Sequence, residues 1–229
     1  MVIFKGLNRI VMKKILFVFI AFMCASQFFS EKRSLSNFED NPLRKIKLAK
    51  ELAEYGYETE SPSALLQAAE IMLEVNVRKS QVKGEQNGKS TGETEQNKFS
   101  LDANVLFSDA KDFAGSDKTY AEWIKRIERL FSGKRGAARG PVAVEGFAYG
   151  NDGSTSYSIA FTNGDVAQIY VAAMNDTNLD VGVYDSDGKT VASGKCNDTI
   201  SFTSASNETY TVQVKNRTSF NASFTLYTD

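Results

Sequence analysis

Tyr157-Ser158-Ile159-Ala160-Phe161 and Tyr210-Thr211-Val212-Gln213-Val214 decide how this chain reads. In both runs apolar and polar side chains alternate, the period of a strand with one face buried. The pattern continues through residues 141–229, where short runs are separated by Asn, Asp, Gly and Ser. It predicts strands near 142–149, 155–162, 166–174, 179–184, 189–193, 199–204, 209–215 and 219–227. Asn163-Gly164 is a tight-hairpin signal, and Asn151-Asp152-Gly153 and Asp185-Ser186-Asp187-Gly188 are further turns. Turns every eight to twelve residues leave no room for helical crossovers, so an antiparallel β-sandwich of about eight strands is expected. Its inward residues on the third, fourth and seventh strands are Ile169 and Val171, Val181 and Val183, and Val212 and Val214.

Upstream the period changes to 3.6. Pro42 opens a helix carrying Leu43, Ile46, Leu48, Leu52 and Tyr55, which Gly56 is expected to break. Ser61-Pro62 opens a second, with Leu65, Leu66, Ala69, Met72 and Leu73 inward and Glu70 and Glu74 facing solvent. A second pair carries Leu101, Val105, Leu106, Ala110 and Phe113, then Tyr120, Trp123, Ile124, Ile127, Leu130 and Phe131. Ala49-Lys50-Glu51-Leu52-Ala53 and Ala110-Lys111-Asp112-Phe113-Ala114 correspond, so residues 41–76 and 100–133 read as two related α-hairpins. They resemble tetratricopeptide-type repeats, a resemblance that implies peptide or protein partners. A small bundle packing on itself or on the sandwich fits the same residues. Residues 77–98 carry two apolar side chains in a polar run and are expected to be a disordered insertion. Residues 134–140 are a Gly- and Ala-rich linker. The fold class is therefore α+β in two modules, a helical part followed by the sandwich.

Lys5, Arg9, Lys13 and Lys14 precede an apolar run from Ile15 to Ala25. Eleven apolar residues make a helix of about 16 Å, half the thickness of a bilayer core, so residues 1–26 read as a secretion signal and not as a permanent span. Either Met1 or Met12 can start it. The residues before Cys24 lack the small residue of a lipoprotein signal, and the mature protein is expected to be periplasmic or secreted.

The sandwich resembles the bacterial pre-peptidase C-terminal domain. The resemblance rests on Tyr157-Ser158-Ile159-Ala160-Phe161, Asn163-Gly164-Asp165, Leu179-Asp180-Val181-Gly182-Val183-Tyr184-Asp185-Ser186-Asp187-Gly188 and Tyr210-Thr211-Val212-Gln213-Val214. It covers residues 145–227. It implies a non-catalytic module that accompanies secreted enzymes and assists secretion, stability or binding of polymeric substrates. No peptidase domain precedes it here.

The chain has 28 acids, 27 bases and no histidine. Without histidine there is no Ser-His-Asp or Cys-His arrangement. The charge is uneven, because residues 141–229 hold ten Asp/Glu against four Lys/Arg, a net of −6. Lys125, Arg126, Arg129 and the linker bases lie among acids and lack an aromatic platform, so nucleic acid is not an expected partner. Cys196 beside Lys195 reads as a bystander thiol. Asp176, Asn178, Asp180, Asp185 and Asp187 are hard oxygen donors, and calcium is the cofactor alternative to none. As turn formers they need no metal. Asn-x-Ser/Thr sequons occur at Asn175, Asn197, Asn207, Asn216 and Asn221, and the bacterial-type signal speaks against their use. Thr199, in Asp198-Thr199-Ile200, resembles an O-glycosylation triplet of secreted bacterial proteins.

Tyr170 and Tyr184, with Gln168, point away from the expected core on the third and fourth strands. As neighbours they would form an aromatic pair suited to a sugar or peptide. Packing against the helices is the other reading of the same tyrosines. Three functions follow: a sandwich that binds an extracellular polysaccharide or protein, a periplasmic adaptor acting through the helical hairpins, or a hydrolase using carboxylates. The first, a non-catalytic binding protein, is the expectation.

Overall fold

A computed structural model describes residues 41–89, 100–133, 140–161, 166–174, 177–204 and 209–229. The expected signal at 1–26, with Cys24, lies outside them, as do residues 134–139 of the linker and the hairpin signal Asn163-Gly164. Pro42–Asp229 forms one compact unit.

Helices α1 (Pro42–Glu58), α2 (Pro62–Val75), α3 (Ala103–Ala114) and α4 (Ala121–Gly133) come first, before the main run of strands. Local chemistry sets their ends. Ser61 precedes Pro62 at the first position of α2, and Asn76 closes that helix in the left-handed region at φ 55°. Asp102 caps α3 by accepting from the Asn104 amide, and Gly115 ends it at φ 51°. Two readings of the first helix change. Gly56 does not break α1 but lies inside it, because a Cβ there would sit 2.6 Å from Leu65 Cδ2 where α1 meets α2. The inward face of α1 is Leu43, Ile46, Ala49, Lys50 and Ala53, while Tyr55 is 58% exposed. Small residues let the two helices approach closely, and a 3.6 period alone does not separate that face from its larger neighbours.

The eight expected strands all form. They are β3 (Val142–Ala148), β4 (Ser154–Ala160), β5 (Val166–Ala172), β6 (Leu179–Tyr184), β7 (Thr190–Lys195), β8 (Thr199–Thr203), β9 (Thr209–Asn216) and β10 (Ala222–Thr228). The expectation of disorder over 77–98 fails for its first part. There β1 (Arg78–Lys79) pairs in parallel with β3, and β2 (Glu85–Asn87) pairs antiparallel with β4. The remainder, 90–98, lies outside the described residues. Backbone hydrogen bonds hold the first strand, with Arg78 N donating to Pro141 O and Ser80 N to Ala143 O. Edge pairing of this kind needs no apolar side chains.

Among the described residues the strands make two five-stranded sheets, β1-β3-β10-β5-β8 and β2-β4-β9-β6-β7. Their inner faces share a core of Val144, Ile169, Val171, Phe224 and Leu226 against Tyr157, Val181, Val183, Val212 and Val214. The middle of the first sheet is buried on its other face too, while Glu145, Val166, Thr199 and Ser201 of that face stay exposed. Ala143, Tyr170, Ala172 and Tyr227 join the helical core with Leu43, Leu66, Leu106 and Ile127. The order of layers is helices, first sheet, second sheet. Among the described residues no layer covers the outer face of the second sheet, and that is where the candidate site lies.

Candidate functional site

The uncovered face is built by three strands in register. Ser156 of β4 lies opposite Gln213 of β9, which lies opposite Gly182 of β6. One step along, Ser158, Thr211 and Tyr184 form the next row. The alternate residues Tyr157, Val212, Val181 and Val183 point into the core, so the period of two puts every member of these rows outward. On β4, β9 and β6 these rows carry no formal charge, and Glu85 of β2, opposite Ser156, adds one exposed acid at the edge of the first row. Tyr184 is half-buried because its side chain reaches back along β6 over Gly182. A Cβ at 182 would lie 2.7 Å from the tyrosine hydroxyl. Glycine is otherwise poor in a strand interior, and here it makes room for the ring. Gln213 Nε2 donates to Ser156 Oγ at 3.4 Å. An aromatic ring beside hydroxyl and amide groups can stack on the apolar side of a sugar and hydrogen-bond its edge.

A charged row borders this face at the end where β4 and β6 begin. Asp180 accepts from Lys195 Nζ, and from Arg217 Nε at 2.6 Å. Asp152 accepts from Arg217, and Lys215 Nζ lies 3.5 Å from the same carboxylate. The hydrogen bond from Lys195, helped by Arg217, holds the Asp180 carboxyl below the usual carboxylate range. Arg217 and Lys215 do the same for Asp152.

Of the expected binding residues Tyr170, Tyr184 and Gln168, only Tyr184 reaches this face. Tyr170 and Gln168 do not join it, because β5 and β6, consecutive in sequence, belong to different sheets. Tyr170 is 0% exposed and lies under the helices, stacked on Tyr227 at 6.3 Å between ring centroids. Burial, with Tyr227, Glu51 and Glu54 nearby, pushes its hydroxyl far above the usual tyrosine range. Gln168 is half-buried on the first sheet opposite Ser201. Gln213, Thr211 and Ser156 were missed by the sequence reading. The signal that could have found them is Gly182 inside a strand, two residues before a tyrosine.

Asp176 lies outside the described residues. Asn178 and Asp180 are occupied by Lys195, with Asn178 Oδ1 accepting at 3.1 Å. Asp185 accepts from the Asp187 and Lys189 amides and so shapes its own turn. Among the described residues no three His, Cys, Asp or Glu side chains gather as a metal site. Thr199 is exposed on β8. Asn216 and Asn221 are buried, which closes those two sequons to modification in the folded state. Cys196 is half-buried, and burial raises its thiol above the usual range despite Lys50 and Lys195 nearby. Its Sγ donates to Thr177 O at 3.3 Å.

An open cleft of about 580 Å³ lies elsewhere, between α2, α3 and the first sheet, lined by Met72, Leu101 and Tyr227 among others. Lys79 spans its two acids, 2.9 Å from Asp102 and 3.7 Å from Glu145. Burial alone would raise the Asp102 carboxyl, but hydrogen bonds from Lys79 and Asn104 outweigh it and hold the group below the usual range. An acid held ionised in this way caps a helix and makes a poor proton donor.

No family model matches the chain, and no curated protein matches it. Among solved structures it is similar to the Yersinia pseudotuberculosis-derived mitogen, with 11% identity, TM-score 0.35, and coverage of 39% of this chain and 84% of that one. It is also similar to Aeromonas hydrophila PliG, a periplasmic inhibitor of g-type lysozyme, with 12% identity, TM-score 0.35, and coverage of 42% and 91%. Likenesses at this level carry no inference about function.

Proposed function

We propose that this is an exported, non-catalytic binding protein whose sandwich holds an extracellular polysaccharide on the uncovered face of its second sheet. The observation that carries the reading is Tyr184 lying over Gly182 in a row of hydroxyl and amide side chains. On the first sheet the helices cover Tyr170 and Tyr227, which takes those two rings out of contention. The helices spend their main apolar faces on one another and on that sheet, which favours the sandwich over the hairpins as the binder. The resemblance of residues 145–227 to pre-peptidase C-terminal domains fits an accessory that grips polymers. The histidine-free composition and the ion-paired Asp102 fit a protein without catalysis. No described helix is long and apolar enough to cross a membrane.

Affinity electrophoresis in gels cast with soluble polysaccharides, neutral and acidic, tests the reading. Retardation of the native protein by at least one polymer is expected. Tyr184→Ala should weaken it about tenfold, the worth of roughly 1.4 kcal/mol of stacking, with little change in melting temperature. Retardation by none of the polymers, or equal retardation of the variant, defeats the proposal.

A further inference from the structure

Residues 141–229 contain four cations, Lys189, Lys195, Lys215 and Arg217, against ten acids. Three of the four converge on the charged row beside the Tyr184 face, where they share two acids, Asp152 and Asp180. The corner therefore carries one surplus positive charge, while the rest of the domain holds one cation and eight acids. Fold stability does not account for this gathering, since solvent-exposed ion pairs contribute at most about 1 kcal/mol each. Lys195, 56% exposed, keeps its ammonium at the surface. Asp180 and Gly182 are two residues apart on β6, so the charged row lies about 7 Å from the row that Tyr184 covers. A sugar stacked on the ring would bring the ring-borne anion of its neighbour to Lys195, Lys215 and Arg217.

Resting on the binding face proposed above, we infer that its ligand is an acidic polysaccharide, whose carboxylate or sulfate groups pair with Lys195, Lys215 and Arg217 while a sugar ring stacks on Tyr184. The net charge of −6 over residues 141–229 repels such a polymer elsewhere on the sandwich, so within that domain attraction comes from this corner.

The test uses the full chain with three probes: polygalacturonate, dextran sulfate and neutral dextran. Retention by one or both acidic polymers and little by dextran is expected, and the pair identifies the anion. Raising salt from about 0.05 M to about 0.5 M shortens the screening length severalfold and should weaken retention sharply. Lys195→Gln with Lys215→Gln should reduce binding about tenfold or more. Lys189→Gln, which removes the same charge in the β6–β7 turn at the far end of the strand, should leave it unchanged. The double variant leaves the Arg217–Asp180 pair intact, and a thermal melt confirms that it folds. Dextran bound as well as the acidic polymers, with the lysine pair irrelevant, overturns the inference but leaves the stacking face standing. An equal loss from Lys189→Gln overturns it as an effect of net charge. Binding to an acidic polymer that Tyr184→Ala does not affect overturns the shared site.

Discussion

Glu70 shows what a single residue hides from its own sequence. With Glu74 four places on, it looks like part of a polar helix face. In the structure it is 9% exposed. Its Oε2 accepts from Trp123 Nε1 at 3.1 Å and from Arg126. The partners lie more than fifty residues away on α4, beyond any local periodicity. The carboxylate is mostly removed from water while Arg126 is half exposed, so the pair's worth lies chiefly in not leaving the Trp123 and Arg126 donors unsatisfied. Glu70→Ala should destabilise the protein by about 1–3 kcal/mol. Glu70→Gln, which still accepts from Trp123, should cost about half as much. Thermal melts followed by tryptophan fluorescence check both, and an alanine variant as stable as the native chain would show that the contact is incidental. Tyr184 is the converse case. Its outward position was legible from the period of two, and the rest of its site was not, because Gln213 and Thr211 meet it only through strand pairing.

Elements show a second kind of blind spot. Composition over 77–98 registers side chains, and by that measure nothing repays ordering the segment. The structure orders 77–89 through backbone pairing to β3 and β4, which composition does not register. Asp102 ties these edges to the helices, since it caps α3 and pairs with Lys79 of β1. That link makes a pH prediction. The folded-state pKa of Asp102 lies below its unfolded value, burial opposing the shift and the Lys79 and Asn104 hydrogen bonds prevailing. The contribution is therefore complete above the unfolded carboxylate range, near pH 4, and is lost as pH falls through the depressed folded value. Native protein should melt higher than Asp102→Asn at pH 7, and the gap should close as the pH is lowered towards 2. A gap that stays constant over that range would assign the effect to capping geometry and remove the charge from the account.

At the scale of the molecule, the α+β class, the helices before the strands and all eight sandwich strands were legible, since each follows from a local period. Assignment of strands to sheets was not, because β5 and β6 look alike in sequence and part company only in space. The same limit hid the shared layer. Tyr170 and Tyr227 alternate out of the sandwich core as surface residues would, yet they are buried under α1 to α4. Burying two such rings stabilises the contact by roughly 2–3 kcal/mol apiece. That is comparable with the whole stability of a typical domain, so helices and sandwich should unfold together. Trp123 on α4 reports the helical part by fluorescence. Backbone exchange at Val212 and Val214, in the middle of β9, reports the sandwich. Coincident transitions in denaturant are expected, as is a fragment of residues 141–229 that melts at least about 10 °C below the full chain or precipitates. A tryptophan transition well before the exchange transition, or a fragment as stable as the whole, would mean that the helices only rest on the sheet. The uncovered second face would then lose its distinction from the first.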